Sequence, residues 1–339
     1  MNKKVRLIDI ASEAGVSVSA VSLVLNDKPC RISESTKMII KKIASKHNYT
    51  PNYIAKSLVT KQSKTFGLVV PDIQNIFFAK LIYSVEKYSR ELDYLLYTVN
   101  SDDSFTNEIN LIKSLVSRGV DGLFIVMSRE AFNHKEKMME LLNSLPVPFI
   151  MLDRAFYNEK CSIVTTDSAA GAFMAVEALI KNGHRRIACL KPPAELGSDQ
   201  GRLKGYMDAM HHYGLDVTPD LLIDGNYKLE CGYDAGESLY KSSTAAFISN
   251  DMMTIGVLKY FAEKGIELPK DYSLISYDNV IYPYLLNVEL SSVAQNTDEL
   301  GKTAVNYMMD LKDRAVAKTY FLKPELILRG SVGRLEDSL

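Results

Sequence analysis

The first part of the chain carries apolar residues at helical spacing, on two short faces that a single glycine separates. The two faces consist of Ile10, Ala11 and Ala14, and of Val21, Val24 and Leu25. Gly15 is able to adopt the left-handed conformation that ends a helix, and Ser17 is a favourable N-cap for the next one. The spacing therefore predicts two short helices in a helix-turn-helix arrangement.

A third helix is predicted to begin after Ser33 and to end near Asn48. Its apolar face is expected to complete a small core through Met38, Ile39, Ile43 and His47. Pro51 then precedes a helix-competent stretch that is too short to be stable alone, because nucleation is unfavourable below roughly 12 residues. We expect this stretch to order only against a partner.

From Phe66 onward, short apolar runs alternate with amphipathic stretches in two consecutive series. The predicted strands cover residues 66–70, 94–99, 122–126 and 147–152, and then 186–190, 245–249 and 272–276. The predicted helices lie near residues 77–92 and 105–118, and then near 168–182, 200–213, 230–242 and 251–264. Such alternation predicts an α/β core of two Rossmann-like lobes behind an all-α helix-turn-helix headpiece. Ligands are expected at the carboxyl ends of the strands, between the lobes.

The charge of the chain is unevenly distributed, although its 339 residues carry a formal charge of only -1. Residues 1–62 contain 11 Lys and Arg against 4 Asp and Glu, which gives +7 and leaves -8 for the remainder. A basic head on an acidic body is typical of a phosphate-binding module attached to a body that avoids DNA. An ordinary solvated surface is the alternative explanation for the charge alone.

Several classes of protein are disfavoured by what the sequence lacks. It has no run of 18 apolar residues and no signal-peptide pattern, so we expect a protein that stays in the cytoplasm and contacts no membrane. A solute-binding protein of a transporter is disfavoured because it would need a secretory signal. The motifs GxGxxG, GxxxxGKS/T, GxSxG and HExxH are missing, which argues against an enzyme.

The cysteines are widely separated and lack the spacing of a metal site. They are Cys30, Cys161, Cys189 and Cys231. We therefore expect buried or idle thiols, with no disulfide framework, no metal and no cofactor.

A family resemblance extends from about residue 6 to residue 332. It rests on the strings DIASEAGVSVSAVSLVLN, YTPNYIAKSL, GLVVPDIQNIFFAKL, GHRRIACL, GRLKGY, SNDMMTIGVLKY and PELILRGS. In this order and spacing they resemble the LacI/GalR family of transcription regulators. The resemblance implies a headpiece, a hinge helix and a two-lobed effector core similar to periplasmic sugar-binding proteins, with three crossings between the lobes.

The resemblance also implies the domain boundaries. They are 1–48 for the headpiece, 49–63 for the hinge helix and linker, 64–333 for the core and 334–339 for a tail. Within the core, the N-lobe covers about 64–164 and 293–322, and the C-lobe about 165–292 and 323–333.

In the family, the second helix of the headpiece lies in the major groove, and residues near its N-terminus face base edges. The matching residues are Ser17, Val18, Ser19 and Ser22. The apolar period assigns Val21 and Leu25 to the core and leaves Val18 outward, although a core role is the alternative for Val18. Leu23 stands where the common pattern TVSRVLN has arginine, so a guanine preference cannot be transferred, although leucine can touch a thymine methyl.

Phosphate contacts and the hinge complete the implied DNA surface. Asn26 and nearby basic side chains are expected to hold phosphates. The family pairs two hinge helices in the minor groove and wedges a leucine from each between base pairs, and Leu58 is the matching residue. Packing of Leu58 against the core of the free protein is the alternative. The resemblance also assigns DNA contacts to Tyr49, Asn52 and Ala55.

The effector pocket implied by the resemblance is assembled from strand ends. Its residues are Asp72, Phe78, Asp153, Arg202, Tyr227, Asn250 and Asp278, with Gln295 near a crossover. Carboxylates, an amide and a guanidinium beside aromatic rings suit sugar hydroxyls and the apolar face of a pyranose, so a saccharide is the expected effector. Helix capping is the alternative for Asp153 and Asp278, a core position is the alternative for Tyr227, and His184 is expected to be structural.

The expected function is transcriptional repression by a homodimer on pseudopalindromic double-stranded operator DNA, because twofold protein symmetry is mirrored in the operator. The N-lobe, with its helix near residues 77–92, is the expected dimer surface. Effector closure of the cleft is expected to displace the hinge helices and change the affinity for DNA. Activation, a non-sugar effector and a protein co-regulator are the alternatives, and the sign of the effector response is open.

Overall fold

The computed structural model describes residues 5–26, 28–49, 62–157, 160–193, 197–285, 287–313 and 316–335. Its contacts divide the chain into two compact units, Met1–Ser63 and Lys64–Leu339. Each unit has its own apolar core.

The first unit consists of three helices with well-formed caps. They are α1 (Leu7–Ala14), α2 (Val18–Leu25) and α3 (Glu34–Lys46). Gly15 ends α1 in the left-handed conformation, with φ of 65°. The Ser17 hydroxyl caps α2 by accepting a hydrogen bond from the Ala20 N–H at 3.2 Å, and Ser33 caps α3 through the Thr36 N–H in the same way. The predicted helix-turn-helix and its caps are confirmed.

The buried face of α3 differs from the predicted one. Ile40 is fully buried and Ala44 nearly so, whereas Met38 and Ile39 are 66% and 50% exposed. The core joins Ile40 and Ala44 to Ile10, Ala11, Val21 and Val24, with Leu25 and Ile43 at its edge. Because Met38, Ile39 and Ile40 are consecutive, more than one helical face looked apolar, and the pair spaced by four residues is the one that packs. The core positions predicted for Met38 and Ile39 are wrong.

His47 contributes to the headpiece through polar contacts. Its Nε2 lies 2.6 Å from Oε2 of Glu13 in α1, while Nζ of Lys46 donates to Oε1 of Glu13 at 2.7 Å. Hydrogen bonds from Lys46 and then His47 hold the pKa of the Glu13 carboxyl below its usual value. The end of α3 is therefore joined to α1 by polar and charged contacts. The core position predicted for His47 is wrong.

The second unit alternates strands and helices in two lobes. Its strands are β1 (Thr65–Val70), β2 (Leu95–Asn100), β3 (Gly122–Ile125), β4 (Phe149–Leu152), β5 (Ile163–Thr166), β6 (Ile187–Leu190), β7 (Leu222–Ile223), β8 (Ala245–Ile248), β9 (Ser273–Asp278), β10 (Ser291–Ala294), β11 (Thr319–Leu322) and β12 (Glu325–Ile327). Its α-helices are α4 (Ile76–Glu91), α5 (Phe105–Ser117), α6 (Arg129–Asn133), α7 (Lys135–Asn143), α8 (Ser168–Lys181), α9 (Gly197–His212), α10 (Leu229–Ser242), α11 (Asp251–Lys264) and α12 (Thr297–Lys312), with short 3-10 turns at Pro219–Leu221 and Tyr282–Tyr284.

Within the part of the chain that the structure describes, these strands form two six-stranded sheets. The N-lobe sheet has the order β11-β5-β4-β3-β1-β2, and the C-lobe sheet has the order β12-β10-β9-β8-β6-β7. Neighbouring strands are parallel, except that β12 runs antiparallel to β10. The chain passes between the lobes after β5, after β10 and after β11. The predicted two-lobed α/β core is confirmed.

Helices cover both faces of each sheet. In β1, Leu68 packs in the cluster that contains α4 and α12, while Val69 packs in the cluster that contains α5 and α7. Successive side chains of a strand point to opposite faces, so this division follows from the strand period. In the C-lobe, α8 and α9 cover one face, and α10 and α11 cover the other.

The helices α10 and α11 approach each other closely at two glycines. A Cβ atom on Gly256 would lie 2.0 Å from the Leu229 carbonyl oxygen, and one on Gly232 would lie 2.0 Å from the Met253 carbonyl oxygen. Only glycine permits this backbone contact. The contact brings the N-terminal ends of both helices to the same edge of the sheet, where the candidate pocket lies.

The cysteines are free thiols, with Cys161 and Cys189 buried and Cys30 and Cys231 partly buried. The described residues contain no group of three or more His, Cys, Asp and Glu that could hold a metal ion. No single described helix has the length and apolarity needed to cross a membrane, and only α1 and α2 taken together, bent by 106°, pass that test of length and composition.

Candidate functional site

The beginning of α2 presents a mostly polar surface. Ser17, Val18 and Ser19 are exposed there, and Ser22 and Leu23 are half-buried. Val18 is 41% exposed whereas Val21 and Val24 are buried, which confirms the predicted outward position of Val18. The Ser17 hydroxyl is shared between the α2 cap and the Ser19 hydroxyl, 2.9 Å away. Contact of this surface with base edges stays a prediction.

Two other residues of the predicted DNA surface are also engaged inside the headpiece. The Asn26 side-chain amide donates to the Ser22 carbonyl oxygen at 2.8 Å, at the end of α2. Tyr49 packs partly buried against the headpiece core, and burial raises the pKa of its phenol. Exposed basic side chains lie in the same unit at Lys28, Arg31, Lys41 and Lys42. The remaining predicted contacts, Asn52, Ala55 and Leu58, lie outside the described residues.

A small pocket of about 20 Å³ lies where strand ends of the two lobes meet. It is lined by Asn75, Phe77, Phe78, Asp153, Arg154, Arg202, Tyr227, Asn250 and Asp278. Six of the eight predicted effector residues are therefore brought together. Asn75, Phe77 and Arg154 were missed, although each is at most three residues from a predicted position.

The pocket residues are placed by the ends of strands and the starts of helices. Asp153 and Arg154 follow β4, Asp278 ends β9, and Asn250 is the N-cap of α11, just after β8. Asn75 is likewise the N-cap of α4, where its Oδ1 accepts the Phe77 N–H at 3.0 Å. The carboxyl ends of parallel strands share one edge of a sheet, which is why distant segments converge there.

Left-handed backbone is concentrated in this pocket. Asp153, Tyr227 and Asp278 have φ of 58°, 66° and 101°, although none is glycine. Such conformations cost about 1 to 3 kcal/mol each and persist only where the surrounding structure determines them. Their occurrence in three separate segments of one pocket is typical of a functional site.

Arg202 is held by contacts on several sides. Its Nη1 donates to the Ser249 carbonyl oxygen, and its Nη2 lies 3.6 Å from Oδ1 of Asp278. The guanidinium carbon is 4.0 Å from the ring centroid of Tyr277 and 5.7 Å from that of Tyr227. A planar donor group between aromatic rings is thereby fixed in the wall of the pocket.

Two buried carboxylates stand next to each other beside Arg202. Asp278 accepts a hydrogen bond from the Gln295 side chain at 2.8 Å, and the Asp251 N–H donates to Asp278 at 3.5 Å. Asp251 accepts the Val280 N–H at 2.6 Å and the Ile281 N–H at 3.1 Å. Burial raises the pKa of both carboxyls, and Arg202 opposes that rise at Asp278. Desolvation therefore favours the neutral form of each carboxyl, while Arg202 favours the ionised form of Asp278.

The capping and core alternatives apply to some pocket residues and not to others. Neither Asp153 nor Asp278 is the N-cap of a helix, although Asp278 accepts the N–H of Asp251, the first residue of α11. Tyr227 is 9% exposed and belongs to the apolar core while it also lines the pocket. Asn250 does cap α11, and its amide donates to the Tyr227 carbonyl oxygen at 3.3 Å.

Two predicted residues do not line the pocket. Asp72 forms a local turn in which its Oδ1 accepts the Gln74 N–H at 2.9 Å, and the turn brings Asn75 to the pocket instead. Gln295 is buried, and its side-chain amide donates to the carboxylate of Asp278, which does line the pocket. His184 contacts Thr244 Oγ1 and the Gly333 carbonyl oxygen away from the pocket, and burial lowers its pKa, in agreement with a structural role.

A helix-turn-helix unit joined to a two-lobed α/β core with a polar pocket defines the class of transcription regulators with an effector-binding domain. The sequence profile described as "Bacterial regulatory proteins, lacI family" matches residues 6–52, and that of a "Periplasmic binding protein-like domain" matches residues 176–332. Among curated relatives, the HTH-type transcriptional repressor PurR of Photobacterium profundum is 30% identical over 330 residues, covering 96% of this chain and 97% of the relative. Catabolite control protein A of Priestia megaterium is 30% identical over 308 residues, covering 90% and 91%.

Solved structures give the same assignment. A LacI family transcriptional regulator from Enterococcus faecalis V583 with bound ribose is 32% identical, with a TM-score of 0.71 over 80% of this chain and 100% of that one. The Lac repressor dimer bound to operator and the anti-inducer ONPF is 22% identical and shares the fold, with a TM-score of 0.87 over 98% and 100% of the chains. The chain belongs to the LacI family of bacterial regulatory proteins. It is a DNA-binding transcription regulator with an effector-binding domain, and it is not an enzyme.

Proposed function

We propose that this regulator is a repressor that binds a pseudopalindromic operator as a homodimer and is controlled by a saccharide bound in the pocket. The observation that carries the proposal is the convergence of two guanidinium groups, two carboxylates and amides beside Phe77, Phe78 and Tyr227. Hydroxyl groups of a sugar can both donate to carboxylates and accept from guanidinium and amide groups. The aromatic rings offer flat apolar surfaces for the C–H face of the sugar ring.

Relatives support both parts of the proposal. PurR of Photobacterium profundum is named a transcriptional repressor, and it matches nearly the whole of this chain. Ribose is bound in the Enterococcus faecalis regulator and in one from Enterococcus faecium that is 28% identical, with a TM-score of 0.71. A repressor of this kind would act in the cytoplasm, beside the chromosome.

Thermal unfolding of the full chain tests the saccharide. The chain is heated with D-ribose, D-glucose and cellobiose, each over a range of concentrations. A ligand of the folded state at 100 times its Kd stabilises it by about 2.7 kcal/mol, so Tm should rise with the logarithm of concentration. Arg202→Gln should abolish the rise, while Arg334→Gln, at an exposed position, should retain it. No saccharide-dependent rise in wild type would contradict the proposal.

The headpiece carries the proposed DNA contacts. Ser17, Val18, Ser19, Ser22 and Leu23 would meet the major groove. Residues 49–63, of which 50–61 lie outside the described residues, would act as hinge helix and linker. Selection of binding sites from random double-stranded DNA, followed by gel-shift titration, tests this directly. The expected product is a pseudopalindrome whose half-sites reflect the twofold symmetry of the protein. Asymmetric selected sites would contradict binding by a symmetric dimer, and a change of affinity with saccharide gives the sign of the response.

The N-lobe offers the proposed dimer surface. Leu95 and Tyr97, on the edge strand β2, are 61% and 42% exposed, and Tyr83 on α4 is 67% exposed. Large apolar side chains exposed together mark an interaction surface. Leu95→Asp should shift the chain from dimer to monomer in analytical ultracentrifugation, whereas Leu328→Asp, at an exposed position of the C-lobe, should not. A wild-type monomer at micromolar concentration would contradict the dimer.

A further inference from the structure

A cluster of charged residues lies in the N-lobe behind the wall of the effector pocket. At its centre, Asp103 occupies the loop between β2 and α5. Oδ1 of Asp103 accepts hydrogen bonds from Nη1 of Arg154 at 3.1 Å and from the backbone N–H of Arg129 at 2.8 Å. Oδ2 accepts from Nε of Arg129 at 2.6 Å. One carboxylate therefore joins two arginines from separate segments of the lobe.

Arg154 is the member of this cluster that reaches the pocket. It is 5% exposed, and its guanidinium carbon lies 5.2 Å from the ring centroid of Phe78 in the N-lobe and 5.6 Å from that of Tyr227 in the C-lobe. Burial of a guanidinium is costly unless an anionic partner is present. Asp103 supplies such a partner from the side of the N-lobe.

Asp103 is itself held in place by the backbone around it. Asp102 and Asp103 both adopt left-handed conformations, with φ of 53° and 57°, and the Asp103 N–H donates to the Pro71 carbonyl oxygen at 2.9 Å. Two such residues in succession persist only where surrounding contacts determine them. The carboxylate is therefore presented to Arg154 from a fixed position.

Arg129 is held in place by the start of α6. It is the first residue of α6, and Ser128 is the N-cap of that helix. The Ser128 N–H and hydroxyl both donate to the buried carboxyl of Glu108, at 3.1 Å and 2.5 Å. The start of α6 is thus anchored to α5, and Arg129 is held against Asp103.

We propose that Asp103 is a positioning residue for effector recognition, which with Arg129 fixes the guanidinium of Arg154 between the aromatic rings of the two lobes. A guanidinium has five donors in a fixed plane, so it can bind a carboxylate along one edge and hydrogen-bond two neighbouring hydroxyl oxygens of a saccharide with the others. The inference rests on the proposed function, because it takes the pocket as the effector site. It adds a residue outside the pocket to the determinants of specificity.

The test compares Asp103→Asn and Asp103→Glu with a matched control in the full chain. Asp102→Asn is that control, because Asp102 is adjacent, exposed and also left-handed, and it removes the same charge. The probe is D-ribose, or whichever of D-glucose and cellobiose stabilises wild type, and Kd is measured by calorimetry. Asp103→Asn should raise Kd at least tenfold, Asp103→Glu should restore much of the affinity, and Asp102→Asn should match wild type. Equal Kd values for Asp103→Asn and Asp102→Asn overturn the inference and leave the proposed function standing.

A measurement without ligand decides the positioning contact independently of the saccharide. Tm is measured for Asp103→Asn, Arg154→Gln and the double variant. Direct contact predicts that the double variant loses clearly less than the sum of the two single losses, because the second substitution removes a partner already lost. Additive losses overturn the inference. If no saccharide affects wild type, that result counts against the proposed function. The comparison of Tm losses between the single and double variants then still tests the contact between Asp103 and Arg154.

Discussion

Glu108 is a buried carboxyl whose replacement by glutamine tests how an enclosed acid affects the stability of the N-lobe. Its side chain is fully buried, and its two oxygens accept hydrogen bonds from the N–H and the hydroxyl of Ser128. Burial raises the pKa of Glu108 from 4.5 to about 7, because the loss of water disfavours the ionised form more than the bonds from Ser128 favour it. Stability should therefore depend on pH through this residue.

The sign and size of the effect follow from the two pKa values. An acid whose pKa is higher in the folded chain favours folding less as pH rises through the interval between its unfolded and folded pKa values. Below pH 4.5 the group is neutral in both states, and above pH 7 it is ionised in both. One pKa unit corresponds to about 1.4 kcal/mol, so ionisation lowers the free energy of unfolding by about 1 kcal/mol at pH 5 and about 3 kcal/mol at pH 8.

Urea unfolding of wild type and Glu108→Gln at pH 5 and pH 8 measures this difference. Far-UV circular dichroism is the suitable signal, because the chain has no tryptophan. Glutamine keeps the shape of the side chain but cannot ionise, so the free energy of unfolding of wild type relative to Glu108→Gln should fall by about 2 kcal/mol between the two pH values. Glu140→Gln, at an exposed position of α7, is the matched control and should show no such change. A difference that is the same at pH 5 and pH 8 would refute the reasoning.

Three further predictions concern packing and DNA binding. Gly256→Ala should lower the free energy of unfolding by about 1 to 3 kcal/mol in urea titrations, because the added methyl group meets the Leu229 carbonyl oxygen, and an unchanged midpoint would contradict the close contact. Leu58→Ser should weaken operator binding in gel-shift titrations while leaving saccharide binding intact, and unchanged operator affinity would exclude the wedge role. The affinity of wild type for the operator should fall steeply between about 50 and about 200 mM salt, because the release of counterions from DNA phosphates gains less entropy at higher salt. An affinity that does not change with salt would argue against phosphate binding by the basic headpiece surface.

Much of the fold was predictable because its elements are long or strongly periodic. The strands around Leu68, Phe124, Ile150 and Phe247 are continuous apolar runs, as expected for strands buried on both faces. In contrast, β5 (IVTT) and β10 (SSVA) contain as many polar as apolar residues, and the pattern did not single them out. Their polar side chains are buried by contacts with distant parts of the chain, and the local pattern of apolar and polar residues does not show such contacts.

The pocket was predictable only in part, and for a reason that lies in the backbone. Family resemblance located Asp153, but the left-handed φ of Asp153 turns the chain so that Arg154 also enters the pocket. Likewise, the turn at Asp72 keeps the Asp72 carboxylate out of the pocket and places Asn75 in the pocket lining. The position of Met38 shows the same limitation in the headpiece, since three consecutive apolar residues did not indicate which of them would be buried. In each case, the direction of the backbone over one or two residues determined which of several neighbouring side chains entered the pocket or the core.

The pocket of about 20 Å³ has a consequence for the timing of the response. A space of this size holds roughly one water molecule, so the pocket must widen by movement of the two lobes before a saccharide can enter. Lobe opening of this kind typically takes microseconds to milliseconds. The rate of saccharide capture should then level off at high concentration, at the rate of opening, and the residence time of the bound saccharide should be set by the same motion. How quickly transcription follows a change in saccharide supply would depend on the mechanics of the lobes as much as on affinity.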